Sequence, residues 1–428
     1  MKKNILYSLL VINFLIYFLF YFTFKNQITL FTATSILLSA LFIILIILIR
    51  KIEVSKKVLT LIIFAGIIFR IILIPTTPIA SDDVYRYLWD GKVQANGINP
   101  YTYAPNDEAL KHLHSELLPE KVNFPHLKTI YPPYSQWIFL LAYLIAGESV
   151  LGIKILLLIS EIFTILLIYL TLKNFRLNEK YVLVYALSPL PILQFFIDAH
   201  VDGFGITLFA LFFYFLSQNK LLYSYFALGL SITSKLITLM VYPFLLKGRS
   251  IKNFLALIIV PTVTVTLVYL PYSINGFPFE SLFIFAQKWY SNGAVFTLFQ
   301  KIFNDNYLSR IFSMSLFFLS FIWLYFSKKD FIDKAYLIFI LFFIFSPVVH
   351  PWYLTWLAFL TAINFRWSGI AFISTISIAN IYALNYILNK KWEMNDWFLL
   401  LEYLPVVILL LWEEFNFVKN KRINHELS

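Results

Sequence analysis

Two adjacent carboxylates mark the most reactive stretch of this sequence, Ser81-Asp82-Asp83-Val84-Tyr85-Arg86-Tyr87. An aspartate pair beside an arginine and tyrosines can supply a general base or bind a metal ion. The same doublet also suits a plainer task, capping a helix that starts where the chain leaves a membrane. Asp90 and Lys92 follow at a spacing that fits one face of an amphipathic helix. A second cluster, Asp198-Ala199-His200-Val201-Asp202, stands at the mouth of an apolar run, where it fits either chemistry or capping. Lys235 follows Gly229-Leu230-Ser231-Ile232-Thr233-Ser234 inside an apolar stretch. A lysine there must snorkel, pair or bind an anion, and its point charge suits phosphate. His350-Pro351-Trp352-Tyr353 can face a substrate or form part of an interfacial aromatic belt. His112, His114 and His126 invite a metal reading but lack further ligands at standard spacing, so they read as solvated loop histidines. No Walker A, GxGxxG, nucleophile-elbow or HExxH pattern occurs, which leaves nucleotide-driven transport and soluble-type hydrolysis without support.

The elements that position these residues are membrane spans. Of 428 residues, 60% are hydrophobic, 19% aromatic and only 13% charged, and the mean hydropathy is +0.77. A soluble domain carries about a quarter of its residues as charges. Apolar runs of about 20 residues recur from end to end, each long enough to cross a bilayer core. They are continuous rather than alternating, which excludes a membrane β-barrel. The net charge of +11 comes from Lys and Arg lying between the runs, a positive-inside pattern rather than a nucleic-acid surface. Cysteine is absent, which rules out disulfides and thiol chemistry. The apolar stretch after Lys2-Lys3 is too long for a signal peptide and lacks a cleavage site, so it reads as a first span.

Spans are expected at 4–24, 28–49 and 57–74, with Arg50, Lys51, Lys56 and Lys57 in the cytoplasm. The third delivers the chain to the outer side, where 75–131 forms a long polar first extracytoplasmic loop. Residues 134–147 are short for a span and read as an in-membrane hairpin or slanted partial helix, followed by a full span at 150–172. Charge parity then gives 180–197, 203–217, a pair of half-length helices over 221–246 meeting near Lys235, and 251–271. A second outer loop follows at 272–307, then spans at 309–327, 335–348, 354–365, 368–388 and 396–415. Both termini fall in the cytoplasm, and the whole chain, 1–428, reads as one integral membrane domain without internal repeats. Asp82-Asp83, Asp198 to Asp202, Lys235 and His350 all fall at the same outer face, which implies a shared aqueous site.

The run Asp82-Asp83-Val84-Tyr85-Arg86-Tyr87-Leu88-Trp89-Asp90-Gly91-Lys92-Val93-Gln94-Ala95-Asn96-Gly97-Ile98-Asn99-Pro100-Tyr101 strongly resembles the first-outer-loop signature of GT-C-type glycosyltransferases. These are polytopic enzymes that use polyprenyl-phosphate sugars as donors. The chain is similar to bacterial mannosyltransferase-like proteins near family 87 and to polyprenol-phosphomannose-dependent α-mannosyltransferases. Ile130-Tyr131-Pro132-Pro133-Tyr134, the Gly229-to-Pro243 run with Lys235, and Ser346-Pro347-Val348-Val349-His350-Pro351-Trp352-Tyr353 agree in the same order. In several relatives the acidic motif is Asp-x-Asp, whereas here the two aspartates adjoin.

The resemblance implies an all-α bundle of about 11–13 transmembrane helices, with short juxtamembrane helices in the first outer loop. It implies a hexosyltransferase, of mannose or another hexose, at the outer face of a bacterial inner membrane. Asp83 or Asp82 would take the acceptor proton, while Lys235 and Arg86 would hold the departing phosphate. Tyr85, Asp90, Tyr131, His200, Asp202, His350 and Tyr353 would line the substrates. No cofactor is certain. The donor is a polyprenyl-phosphate sugar, the acceptor a glycan or lipid, and the acidic pair leaves room for a divalent metal, Mg or Mn. A transporter or flippase of polyprenyl-linked sugars is the rival reading, although transporters usually carry internal repeats and charges near the midplane. A non-catalytic scaffold would not explain the Asp82-Asp83 segment.

Overall fold

The computed structural model describes residues 2–23, 27–246, 250–274 and 276–426. The end of the first expected span at 24 and Asn275 of the second loop lie outside them. The described residues are mostly helical, with no strand among them, and form an all-α polytopic membrane protein. Among them six helices are long and apolar enough to cross a membrane: Lys2–Phe20, Ile28–Arg50, Val150–Asn174, Ile251–Ser273, Asn306–Phe326 and Trp367–Asn389. The remaining apolar runs fold as shorter pieces, including Pro133–Ala146, Asp202–Ser217, Leu221–Ser234 and Leu236–Leu245.

Where the runs break, a local cause is visible. The expected span 180–197 is two helices, Val182–Ala186 and Pro189–Phe196, because Pro189 and Pro191 have no N–H to continue the ladder. The stretch 221–246 breaks at Lys235, whose backbone is extended (φ −157°, ψ 127°) between Leu221–Ser234 and the tight turns of Leu236–Leu245. The segments 75–131 and 272–307, expected as loops, carry helices too: Asp83–Ala95 in the first, and Glu280–Lys288 and Ala294–Phe303 in the second.

A buried ion pair ties the bundle together beside the broken span. Arg70 and Glu161 are fully buried 2.9 Å apart, on the Lys56–Leu73 and Val150–Asn174 helices. The Arg70 guanidinium also donates to the carbonyls of Gly66 (2.9 Å) and Ala186 (2.8 Å), the latter at the end of the helix that Pro189 cuts short. The Tyr185 hydroxyl donates to the other Glu161 oxygen at 2.6 Å. Gly66 makes the approach possible, since a Cβ there would meet the Ala186 oxygen at 2.4 Å. A buried pair persists only when its remaining donors and acceptors are filled, as these are.

One end of the bundle gathers Asp82-Asp83, the turn 197–201, Lys235 and the 346–350 segment. The Phe331–Phe345 helix runs from that end to the opposite one, where Arg366 pairs with Asp333 (2.6 Å) and Glu414 (2.7 Å), and Lys329 with Glu414 (2.8 Å).

Removing one member of the Arg70–Glu161 pair leaves a buried charge without its partner, at a cost of about 3–5 kcal/mol. Glu161→Ala is therefore expected to lower the melting temperature of the detergent-purified protein. The Arg70→Met/Glu161→Leu double variant should recover most of that loss. An unshifted melting temperature in the single variant would remove the pair from its structural role.

Candidate active site

The acidic pair sits at the start of the Asp83–Ala95 helix, but neither carboxylate caps it. Asp82 occupies the N-cap position without a side-chain cap bond, and Ser81 Oγ instead accepts from the Asp83 N–H at 3.3 Å. Both carboxylates turn toward Asn123, whose amide donates to Asp82 Oδ1 (3.0 Å) and Asp83 Oδ1 (2.7 Å). The Tyr131 hydroxyl is a further donor to Asp83. The capping alternative is thereby set aside for the doublet.

The two aspartates are not equivalent. Asp82 is exposed, while Asp83 keeps 20% of its side chain open in otherwise crowded surroundings. Burial, reinforced by the Asp82 charge, pushes the Asp83 pKa up to about 6 against the pull of Asn123 and Tyr131. A carboxylate so placed is a better proton acceptor near neutral pH than an ordinary aspartate.

Facing Asp83 is the turn 197–201. Its geometry is unusual, with Ala199 at φ +58°, a left-handed conformation that costs a non-glycine residue about 1 kcal/mol. The turn is closed by the His200 N–H donating to the Gln194 carbonyl at 3.0 Å. Asp198 Oδ1 accepts the N–H groups of Ile79 (2.8 Å) and Ala80 (2.9 Å), fixing the chain just before Asp82. The His200 ring is fully buried, 3.8 Å from Asp83 Oδ2 and stacked 3.8 Å from Trp352. Burial and the nearby Lys235 charge hold its pKa well below the ordinary value, so it is neutral.

Asp202 begins the next helix and likewise does not cap it. Its Oδ1 accepts from Lys235 Nζ at 2.5 Å and from Trp356 Nε1 at 2.7 Å. Gly205, one turn on, lets Trp356 approach, since a Cβ there would lie 2.7 Å from the indole ring. Lys235 emerges at the helix break with 28% of its side chain open, its ammonium 3.9 Å above the Tyr353 ring. Snorkelling does not describe it, because the cation ends on a carboxylate and an aromatic face. Tyr353 and Trp352 descend from a segment held by Ser291 of the 272–307 stretch. The Ser291 N–H donates to the Pro347 carbonyl (2.9 Å), and the Val349 N–H donates to the Ser291 carbonyl (2.8 Å). Asn292 in turn donates to the buried Glu402 at 2.8 Å. His350 stacks 4.4 Å from Trp352 on the side away from the His200 contact.

The structure thus brings together Asp82, Asp83, Tyr131, His200, Asp202, Lys235, His350 and Tyr353 from the sequence expectations. Three others are placed differently. Arg86 is buried, its guanidinium donating to the carbonyls of Asn123 (3.0 Å), Phe124 (2.9 Å) and Leu127 (3.0 Å). It therefore positions the Asn123 segment instead of facing a phosphate, because a guanidinium in this loop is drawn to unpaired carbonyls. Asp90 is buried and accepts from Gln136 at 3.0 Å, tying the helix to Pro133–Ala146. Tyr85 lies under the Lys121 ammonium, 5.3 Å from it. His112, His114 and His126 are exposed loop residues, and among the described residues no group of three His, Asp or Glu side chains is arranged to hold a metal. Asn123 and Trp356 complete the site without any signal in the sequence, whereas Asp198 and Trp352 come from the 198–202 cluster and the His350-to-Tyr353 motif already marked there.

Membrane helices here converge on an acidic pair, a partly open lysine and a wall of aromatic rings, and the family match makes the protein a membrane glycosyltransferase. The alpha-(1->6)-mannopyranosyltransferase family, through its N-terminal domain, matches residues 15–247, more than half of the chain, and the chain belongs to that family. The match spans Asp82, Asp83, Asn123, His200, Asp202 and Lys235. No curated protein matches the chain.

Asn123 holds Asp83 toward its charged form, so Asn123→Ala is expected to raise the Asp83 pKa above its value of about 6. The acid limb of the transferase pH profile should then move upward by about one unit. A limb that stays in place would dissociate Asn123 from the ionisation that governs the rate.

Proposed function

We propose that the protein moves a hexose, mannose by its family, from a polyprenyl-phosphate donor to a hydroxyl of a glycan or lipid acceptor. The observation that carries this reading is the convergence of the partly open Asp83 carboxylate and the partly open Lys235 ammonium on one site, with the His200 ring 3.8 Å from Asp83 and Asp202 bonded to Lys235. Transfer from a sugar phosphate needs those two charges. As the acceptor oxygen bonds to the anomeric carbon, the carbon–oxygen bond to phosphate breaks and the electron pair leaves with the phosphate. The acceptor proton passes to Asp83, the deeper of the two carboxylates, while Asp82 raises its basicity. Lys235 spends one of its three N–H donors on Asp202, which leaves two for the departing phosphate. A polyprenyl phosphate departs without protonation, so no acid is required on that side. One displacement inverts the anomeric carbon, and a β-linked donor gives the α-linkage in the family's description.

The site lies at the outer face of a bacterial inner membrane, with both termini in the cytoplasm. Supporting this is the position of Arg50, Lys180 and Arg366 at the opposite end of the bundle. Asn123 bridges the two carboxylates of the pair, and among the described residues no third His, Asp or Glu joins them in a metal-holding group. A divalent ion such as Mg would be held by the Asp82-Asp83 pair together with the donor phosphate, whose charge it would help to neutralise.

The test is transfer by the purified protein, supplied with synthetic polyprenyl-phosphate hexoses and glycan or lipid acceptors. Asp83→Asn is expected to lower kcat by about 10²–10⁴-fold. Asp82→Asn should cost less, and Lys235→Met should raise the donor KM. Full activity in Asp83→Asn would sink the base assignment. Movement of intact lipid-linked sugar across vesicles without a new glycosidic bond would turn the reading to a transporter.

A further inference from the structure

His200 is the least satisfied polar group at the site. It is fully buried, and neither ring nitrogen has a hydrogen-bond partner. A neutral imidazole carries one N–H and one acceptor, and leaving both idle in the interior is costly. The ring is nevertheless held firmly. It lies 3.8 Å from Trp352 at an angle of 14°, and Trp352 is backed by His350 at 4.4 Å. The Ala199 turn and the Gln194 carbonyl fix its backbone. Its Nδ1 points at Asp83 Oδ2 across 3.8 Å, too far for a direct hydrogen bond. Asp83 uses its other oxygen, Oδ1, for Asn123.

Two polar atoms at that separation can share a third, since a hydroxyl oxygen can lie about 2.8 Å from both at once. We infer that the gap between Asp83 Oδ2 and His200 Nδ1 is the seat of the acceptor's reacting hydroxyl. The hydroxyl gives its proton to Asp83 Oδ2 and accepts the N–H of His200 on one lone pair. Its other lone pair is left to attack the anomeric carbon. Entry is from the Asp83 side, where the carboxylate keeps 20% of its side chain open while the imidazole is closed off. His200 does not take the proton, because burial disfavours a charged ring and the Lys235 charge opposes a second one nearby. Its part is to choose and orient the acceptor oxygen, which it touches. This inference rests on the transferase reading with Asp83 as base and deepens it.

The experiment uses His200→Phe, which keeps a ring against Trp352 and removes both nitrogens, and His200→Gln, which restores a donor. Binding of octyl α-mannoside, a simple mannoside acceptor probe, is measured by calorimetry on the full-length purified protein without donor. The same probe then serves as acceptor with polyprenyl-phosphate mannose. The Phe variant should bind the probe about tenfold more weakly, the equivalent of one lost hydrogen bond to a buried group. Its acceptor KM should rise and kcat fall while the donor KM holds, with partial recovery in the Gln variant. Equal probe affinity in wild type and His200→Phe overturns the seat, as does a defect confined to the donor KM. An active Asp83→Asn enzyme overturns the base assignment instead, and the calorimetric comparison, which needs no turnover, keeps the two failures apart.

Discussion

A single buried carboxylate, Asp198, fixes where the acidic pair stands. The chain leaves the Lys56–Leu73 helix and must reverse within a few residues to begin Asp83–Ala95. Nothing in Ile79 or Ala80 enforces that reversal. Their N–H groups are gathered instead by Asp198 Oδ1, from a turn more than a hundred residues away in sequence. Burial pushes the Asp198 pKa up to about 6, while the two N–H groups and the charge of Lys154 draw it back. Lys154 in turn donates to the Thr76 carbonyl at 2.6 Å, so one cation steadies both the carboxylate and the strap it holds. Because His200 belongs to the same turn, the bond that places Asp83 also sets its distance from the imidazole.

Ionisable groups inside this protein fall into two kinds, and hydrogen bonding separates them. Arg70 and Glu161 are closed on every side by carbonyls, a hydroxyl and each other. Such a network holds helices in place and has no capacity left for a substrate. At the site, His200 has two idle nitrogens, Lys235 is partly open and Asp83 Oδ2 stands 3.8 Å from the imidazole. The surrounding structure maintains these incomplete groups at a cost, through the strained Ala199 turn and the stacked His200, Trp352 and His350 rings.

The helical membrane architecture was legible from apolar run length alone, and the break at Lys235 from a cation that an uninterrupted span would not tolerate. The break ahead of Pro189 was legible in principle from the two prolines, yet the run's length concealed it. At the site, residues bearing charge in otherwise apolar surroundings could be found: Asp82, Asp83, Asp202 and Lys235. Asn123 could not, because one amide in a long loop has no periodicity and no neighbouring motif. Trp356 sat in an apolar run where a span explains it equally well. Arg86 shows the opposite limit, since its charge suggested phosphate while its partners turned out to be carbonyls, which sequence does not display. Arg70, Glu161 and Lys154 carried the intramembrane-charge signal and were passed over, and they hold the frame.

The two adjacent aspartates part company because of how the helix starts. Asp82 is still outside helical geometry (φ −102°, ψ 3°) and Asp83 is its first helical residue, so their side chains leave the backbone in different directions. One reaches the exposed rim and the other the interior, and Asn123 bonds to both. A helix N-terminus favours negative charge, which alone would make Asp83 a weak base. Burial and the Asp82 charge oppose that effect and prevail, leaving the pKa at about 6. The Asp82 charge at the rim thus raises the pKa of Asp83 in the interior, an effect that fades as two carboxylates are set further apart.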